Sequence, residues 1–332
     1  MAGTQNSKLK LLYLADILNR KTDEDHLIST PEICEELEKM GIEAERKSIY
    51  KDIDILREYG MDIIRTGSKN HGGYFVGSRD FELAEIRLLS DAVQAANFIS
   101  TKKANQLVKK IESFASESQA KILHSQVYVE NRPKCNNEEI YYNISILDEA
   151  ISANEKVTFT YSRRKITEDF KTSKEDKTFT VSPYALIWSN DHYYLICNNE
   201  KYDNLMPLRI DRIKKVKRVG QRARHFSEVS EYSHKFDSAD YATKHLNMYS
   251  GEPKPVELIC ENDIIESILD RFGEKVKLQK YDDNRFLLRI NSATGNGLIS
   301  WIVGYGGKIK VQSPKELISD VKKRAEEILN NY

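Results

Sequence analysis

The stretch from Thr178 to Val219, TFTVSPYALIWSNDHYYLICNNEKYDNLMPLRIDRIKKVKRV, constrains the fold of this chain more than any other. It begins as two short strands joined by a tight polar turn. A run follows in which Arg209, Arg212, Lys214, Lys215, Lys217 and Arg218 crowd beside apolar Leu208, Ile210, Ile213 and Val216. Such alternation marks strands with one buried face. Just upstream, Val157 to Tyr161 alternates, so that Phe159 and Tyr161 share a face, and Ile144 to Ala153 has the spacing of a short amphipathic helix. Several short strands entered by one helix predict a small, strongly bent barrel. The charged segment Arg163 to Lys177 reads as a turn or disordered loop. Aromatic faces beside clustered guanidinium groups suit a planar or phosphate-bearing ligand.

The N-terminal part predicts a different architecture. Lys8 to Leu18 carries Leu11, Leu12, Leu14, Ile17 and Leu18 at helical spacing, so it should bury one stripe. Ser29-Thr30-Pro31-Glu32 is a helix start, with a capping hydroxyl, proline in the first turn and glutamate three residues after Ser29. That helix stops at Gly41. The next, Glu45 to Tyr59, buries Ile49, Ile53 and Leu56 and ends at Gly60. Met61 to Arg65 and Tyr74 to Val76 read as the strands of a hairpin with a flexible tip. Helix, helix, tight turn, helix, hairpin is the order of a winged helix-turn-helix, whose second turn helix enters the major groove. Arg46, Lys47, Ser48, Tyr50 and Lys51 would then face bases and phosphates, with Lys69, Asn70 and His71 of the hairpin tip along the backbone or minor groove. A plain solvated helix is the alternative, since acids outnumber bases over residues 1–78.

Two helices with a break near Thr101 are expected between Glu82 and Ser116, burying Leu83, Ile86, Leu89, Val93, Leu107, Val108, Ile111 and Phe114, and a polar linker over Glu130 to Glu139. From Val256 onward the order is strand, helix, strand, strand, helix, strand and a long final helix capped by Ser313, the ferredoxin-like βαββαβ arrangement plus one helix. The fold class expected is therefore α+β multidomain. Its divisions are residues 1–78 (winged helix), 79–139 (helical connector and linker), 140–222 (barrel), 223–254 (connector) and 255–332 (ferredoxin-like domain).

The motifs of the central third carry a resemblance. Tyr161, then Val181-Ser182-Pro183-Tyr184-Ala185-Leu186, then Asp191-His192-Tyr193-Tyr194-Leu195, then Leu208-Arg209-Ile210-Asp211-Arg212-Ile213 resemble the successive motifs of the WYL-domain transcriptional regulators. The family's name tripeptide falls on Tyr193-Tyr194-Leu195, with tyrosine where tryptophan is usual, and Thr180 stands where an arginine is usual. WIVGYGGKIKVQSPKELISDV resembles the C-terminal extension that often follows such a domain, where it serves dimer contact or ligand closure. The resemblance implies an Sm-like barrel that senses a ligand, a nucleotide or nucleic-acid fragment. It carries effector contacts onto Tyr161, Ser182, Tyr184, His192, Tyr193, Arg209 and Arg212. An arginine in an apolar strand is costly to bury unpaired, so Arg209 either meets a ligand or pairs inside. Tyr193 and Tyr194 alternate across their strand, and only one of them can face the pocket.

Charge balances at 51 basic against 51 acidic residues, so any nucleic-acid partner must be met by a local patch. Four scattered cysteines fit reduced thiols, and no apolar run approaches a membrane span, so a cytoplasmic protein without a membrane partner is expected. His225, His234 and His245 with Asp237 and Asp240 lack metal-site spacing, and no catalytic pairing is visible, so neither metal, cofactor nor enzyme activity is expected. The reading that results is a homodimeric, ligand-responsive transcription factor with a duplex operator and a small anionic or nucleic-acid effector. The alternative is an accessory binder of single-stranded RNA or DNA through the barrel.

Overall fold

The computed structural model describes residues 2–67, 72–126, 134–135 and 137–332. The chain is a mixed α+β multidomain protein, and it divides into two compact units, Met1–Asn136 and Asn137–Tyr332.

The first unit is helical with one small hairpin: α1 (Ala2–Lys21), α2 (Thr30–Lys39), α3 (Arg46–Tyr59), β1 (Ile63–Thr66), β2 (Gly73–Val76), α4 (Leu83–Ala95), α5 (Thr101–Glu112) and α6 (Glu117–Gln126). Ser29 caps α2 in a full capping box, its backbone N–H donating to the Glu32 carboxylate at 2.7 Å. Gly60 ends α3 in the left-handed conformation, at φ 111. The three helices and the hairpin share one core, in which Leu14, Leu18, Ile33, Leu37, Ile49 and Ile53 are buried with Ile63, Tyr74 and Val76; Leu12, expected on the buried stripe of α1, instead falls outside that face and is exposed. Thr22 ties α1 to the hairpin: its hydroxyl donates to the Leu18 carbonyl and accepts from the Val76 N–H. Ile28 bridges Tyr74, so β2 runs against backbone, and a Cβ at Gly73 would stand 2.7 Å from that of Leu27. The helical stretch that follows differs from expectation. Ile86 and Val108 are buried, but Leu83, Leu89 and Phe114 are 38%, 42% and 47% exposed. The buried stripes of α4 (Ile86, Ser90) and α5 (Ala104, Val108, Glu112) are narrow, and the flanking apolar positions fall outside them.

The second unit holds two antiparallel sheets. Helix α7 (Ile140–Ser152) leads into β3 (Glu155–Ile166), β4 (Thr172–Ser189), β5 (His192–Asn198), β6 (Met206–Arg209), a 3-10 turn over Ile210–Arg212, and β7 (Ile213–Arg222). The five-stranded order is β6-β5-β4-β3-β7, so the last strand returns to the far edge beside β3. Asn143 of α7 donates to the Ile213 carbonyl at 2.9 Å, fixing the helix at the point where β7 begins. Register shifts interrupt β3–β7 and β4–β5, the bulges by which a short sheet bends. The expected loop at Arg163 to Lys177 is instead the end of a hairpin, paired from Val157↔Val181 to Ile166↔Thr172. Charges there do not oppose strand formation, because Lys165 meets Glu175 at 2.8 Å and Ser162 donates to Asp176.

Helix α8 (Ser238–Lys244) precedes the second sheet: β8 (Pro253–Glu261), α9 (Ile265–Phe272), β9 (Lys277–Lys280), β10 (Arg285–Ala293), α10 (Asn296–Gly304), β11 (Ile309–Ser313) and α11 (Lys315–Leu329). Its order is β11-β8-β10-β9. Leu258, Cys260 and Leu288 of the strands are buried with Ile268, Leu298, Ile302 and Leu317 of the helices. Ser313 is not the cap of the final helix. It closes β11, and Pro314 takes the cap position with no side-chain hydrogen bond.

Candidate nucleic-acid interface and ligand groove

Helix α3 turns its apolar stripe inward and its opposite face to solvent. Arg46, Lys47, Tyr50 and Lys51 are all exposed, and none of the three cations has an ion pair among the described residues. Exposed Glu45 stands at the cap just before Arg46, the first turn itself carries no acid, and the second half of the helix carries Asp54, paired with Arg57 at 3.3 Å, and Glu58. Ser48 sits differently: it is half-buried and bonded to Lys10 of α1, which also holds Asp52 at 2.7 Å. That buried pair locks α3 against α1 and leaves Ser48 little freedom to contact anything else. Lys69, Asn70 and His71 lie outside the described residues.

The five-stranded sheet scatters the expected effector residues over several surroundings. Arg209 is held by Asp211 through two hydrogen bonds, Nε to Oδ1 at 3.0 Å and Nη2 to Oδ2 at 2.7 Å. Burial works against its charge, but the carboxylate more than offsets this and the guanidinium pKa lies above its ordinary value. Arg212, on the 3-10 turn, is exposed and has no ion pair among the described residues. Tyr194 is the residue beside these arginines, since β5 pairs Tyr194 with Arg209. Burial raises its phenol pKa while Arg209 and Arg212 pull the other way. Tyr193 emerges on the opposite face, where burial and then Asp148 of α7 raise its pKa. His192 donates from Nδ1 to the Asn190 carbonyl at 2.7 Å. Ser182 is fully buried and accepts the Arg224 N–H at 2.9 Å. Tyr184 packs among Phe226 and Phe236, where burial pushes its phenol up to about 12 despite the nearby Ser182 hydroxyl.

Tyr161 and Ser182 alone of the expected set line the groove of this sheet, a volume of ≈ 650 Å³ between the β3–β4 hairpin and the segment from Asn199 to Met206. The inner face of the hairpin supplies Tyr161, Arg163, Lys177 and Phe179; Lys201 and Tyr202 stand opposite. Lys177 lies over the Phe179 ring at 5.5 Å and Arg163 over the Tyr161 ring at 5.7 Å. The acids of the groove are already taken, Glu175 by Lys165 and Glu200 by Lys156. Arg163, Lys177 and Lys201 have no ion pair among the described residues. Sequence reasoning missed Lys177 because it began the strand too late, at Thr178, and it left Phe179 in that strand without assigning it to the site. The alternation of Lys177, Phe179 and Val181, in phase with Tyr161 and Phe159 across the hairpin, is the signal that marks them.

Two of the three histidines singled out in the sequence are engaged in local hydrogen bonds, and His234 is exposed. His245 is buried between the carbonyls of Tyr241 and Gly251, at 2.9 and 3.2 Å, and His225 caps a turn through Ser227. Among the described residues no three His, Cys, Asp or Glu side chains gather as metal ligands would. Cys34, Cys135, Cys197 and Cys260 form no disulfide with one another, and no described helix is long and apolar enough to cross a membrane.

With this geometry in place, the relatives of the chain can be stated. Residues 143–218 match the WYL domain and residues 252–329 match the WCX domain, so the chain carries both, one on each sheet of the second unit. No curated protein matches it. Among solved structures it is similar to the proteasome accessory factor B/C (PafBC) of Arthrobacter aurescens, at 14% identity and TM-score 0.28, covering 97% of this chain and 48% of that one. It is also similar to a CRISPR Cas-related protein, at 14% identity and TM-score 0.37, covering 98% of this chain and 85% of that one. The chain thus spans about half the length of the PafBC chain.

Proposed function

We propose that this chain is a ligand-responsive transcriptional regulator that binds duplex DNA as a homodimer, in the cytoplasm and without catalysis. The observation that carries the reading is the start of α3, where Arg46, Lys47, Tyr50 and Lys51 are exposed together and the three cations have no ion pair among the described residues. In this reading residues 1–78 are a winged helix-turn-helix with α3 as its recognition helix. Residues 79–139 and 223–254 connect. Residues 140–222 are an Sm-like effector-sensing barrel, and residues 255–332 a ferredoxin-like extension. The groove of the barrel takes an anionic, aromatic effector: Arg163, Lys177 and Lys201 meet its charge, while Tyr161, Phe179 and Tyr202 stack on its ring. Arg212 and Tyr194 add a second cationic edge; Arg209 serves chiefly to hold Asp211 and the turn. To swing the protein between two states from 1:99 to 99:1, the effector must prefer one of them by about 5.5 kcal/mol.

The test is selection of random duplex DNA beside single-stranded oligonucleotides, with salt titrations. A palindromic duplex motif is expected, weakened by about 1–3 kcal/mol in Arg46→Ala and unchanged in Lys177→Ala. Loss of one phosphate contact, as in Lys51→Ala, should lower the salt slope by about one. Tight single-strand binding lost in Lys177→Ala, with no duplex motif, overturns the reading. It would favour instead an accessory protein binding single-stranded RNA or DNA through the barrel, to which the groove's cations without ion pairs among the described residues and the exposed Tyr202 ring are also suited.

A further inference from the structure

The β3–β4 hairpin runs past its sheet. β7 leaves β3 at Tyr161, and β5 pairs with β4 only from Ser182 onward. Beyond them, Ser162↔Asp176 to Ile166↔Thr172 pair with each other alone, a two-stranded arm roughly 17 Å long at the usual rise per residue. The turn at its tip is tightly specified. Phe170 N–H donates to the Thr167 carbonyl at 2.9 Å, and Thr167 N–H to the Lys171 carbonyl at 2.8 Å. The Thr167 hydroxyl closes the same ring, donating to the Lys171 carbonyl and accepting from the Lys171 N–H.

Phe170 itself is the anomaly. Its φ is 55, in the left-handed region that hairpin turns ordinarily give to glycine or asparagine. It is also 91% exposed, and Ile166 beside it is 74% exposed. A bulky ring is therefore held in an unfavoured backbone conformation and contributes no packing to its own chain. Glu168 and Asp169 precede it and Lys171 follows, all exposed and without an ion pair among the described residues, so the turn carries net negative charge. The tip is thus an aromatic ring beside two unsatisfied carboxylates.

The base of the arm is its chemical complement. The groove there offers Tyr161, Phe179 and Tyr202 as rings and Arg163, Lys177 and Lys201 as cations without carboxylate partners. A tip and a base of opposite charge on one rigid ribbon cannot meet within one chain, because the ribbon holds them apart. Two copies related by a two-fold axis can lay their arms antiparallel, so that each tip reaches the other's base and both contacts form at once. We infer that the arm is an exchange element: the Glu168-Asp169-Phe170 tip of one copy seats in the groove of a second copy of this chain. This deepens the regulator reading, on which one consequence rests. The tip presents the same anionic and aromatic groups as the proposed effector, so effector and exchanged arm compete for one groove, and effector binding releases the arms.

Mixed cross-linking tests it. Full-length Phe170→Cys and Tyr202→Cys chains, each otherwise unchanged, are mixed and mildly oxidised. Each mixture is resolved without reductant beside the two single-variant controls, which account for the native thiols. A cross-linked dimer specific to the mixture is expected. Glu168→Lys with Asp169→Lys in the Phe170→Cys chain should cut its yield at least tenfold, and Arg163→Glu with Lys177→Glu in the Tyr202→Cys chain should restore it. All these positions are exposed or at the groove rim, and circular dichroism checks that each variant is folded. Absence of a mixture-specific cross-link between folded chains overturns the exchange, as does a yield indifferent to the tip charges. A tip that docks on some other protein gives that same negative result. The regulator reading fails separately, through the duplex selection with Arg46→Ala, which leaves the arm untouched.

Discussion

On the four-stranded sheet of the WCX domain, both strand arginines end on carboxylates: Arg289 on Glu257 at 2.8 Å and Arg285 on Asp282 at 2.6 Å. On the five-stranded sheet of the WYL domain the arginines divide. Arg209 and Arg218 are held by Asp211 and Glu155, whereas Arg163 and Arg164 of the arm meet no carboxylate among the described residues. The strands differ in the same sense. β10 pairs with β8 along its full length from Arg285 to Ala293, while β3 and β4 outrun every neighbour. A sheet whose arginines are paired within its own domain has fewer cations left to offer a ligand. One that overshoots, with cations in excess, keeps a field for something outside the chain.

The largest effect that would sharpen this contrast lies at Gly297. A Cβ there would fall onto the Leu246 carbonyl oxygen and against the Tyr249 ring, so Gly297→Ala should cost about 2–3 kcal/mol in thermal or urea unfolding. Gly304→Ala, where a Cβ meets nothing within 4 Å, should stay within about 0.5 kcal/mol. Equal effects at the two glycines would show that the close approach of α10 to the Leu246 carbonyl and the Tyr249 ring does not limit what the WCX domain tolerates. Next comes Asp211→Ala, which strands the partly buried Arg209 and should lose about 1–2 kcal/mol. Arg289→Ala, 51% exposed at its side chain, should lose less than about 0.5 kcal/mol. If the surface pair proved the costlier, pairing would not separate the sheets as argued.

The smallest effect concerns the joint between the sheets. His245 follows α8, which touches both β4 and β10, and burial lowers its pKa from the ordinary 6.5, with Glu231 and Lys244 acting weakly in opposite directions. The unfolded chain therefore binds a proton more readily than the folded one. Stability should fall as pH drops through about 6.5 and continue to fall until the folded histidine itself titrates. His245→Gln should flatten that slope in melts between pH 7 and pH 5. An unchanged slope would remove His245 from the account.

How much was legible varied with the range of the interactions. The α2 start was readable because Ser29 and Glu32 satisfy each other within one turn. The end of α3 was equally readable, since Gly60 takes a left-handed conformation that few other residues tolerate. The order of elements in both sheets followed from alternation and turn residues. The arm was not legible: its charges read as a loop until pairing across the hairpin set Lys165 against Glu175. Ser48 looked like a surface contact until Lys10, far away in sequence, claimed it. Leu83, Leu89 and Phe114 looked like core because periodicity records which positions share a face, not how wide a face is covered.

Local chemistry was enough to specify the helix caps, the strand phases, the exposed basic start of α3 and the kinship of the central motifs. The assembled fold settled which ionic groups are spent on one another and which stay open. Arg209 is closed by Asp211 two residues away, yet Arg163, Lys177 and Lys201 come together only when the hairpin folds against the segment from Asn199 to Met206. An isolated charge in a sequence carries no record of its partner, because the distances that pair or free it are set by strand register and packing across the fold.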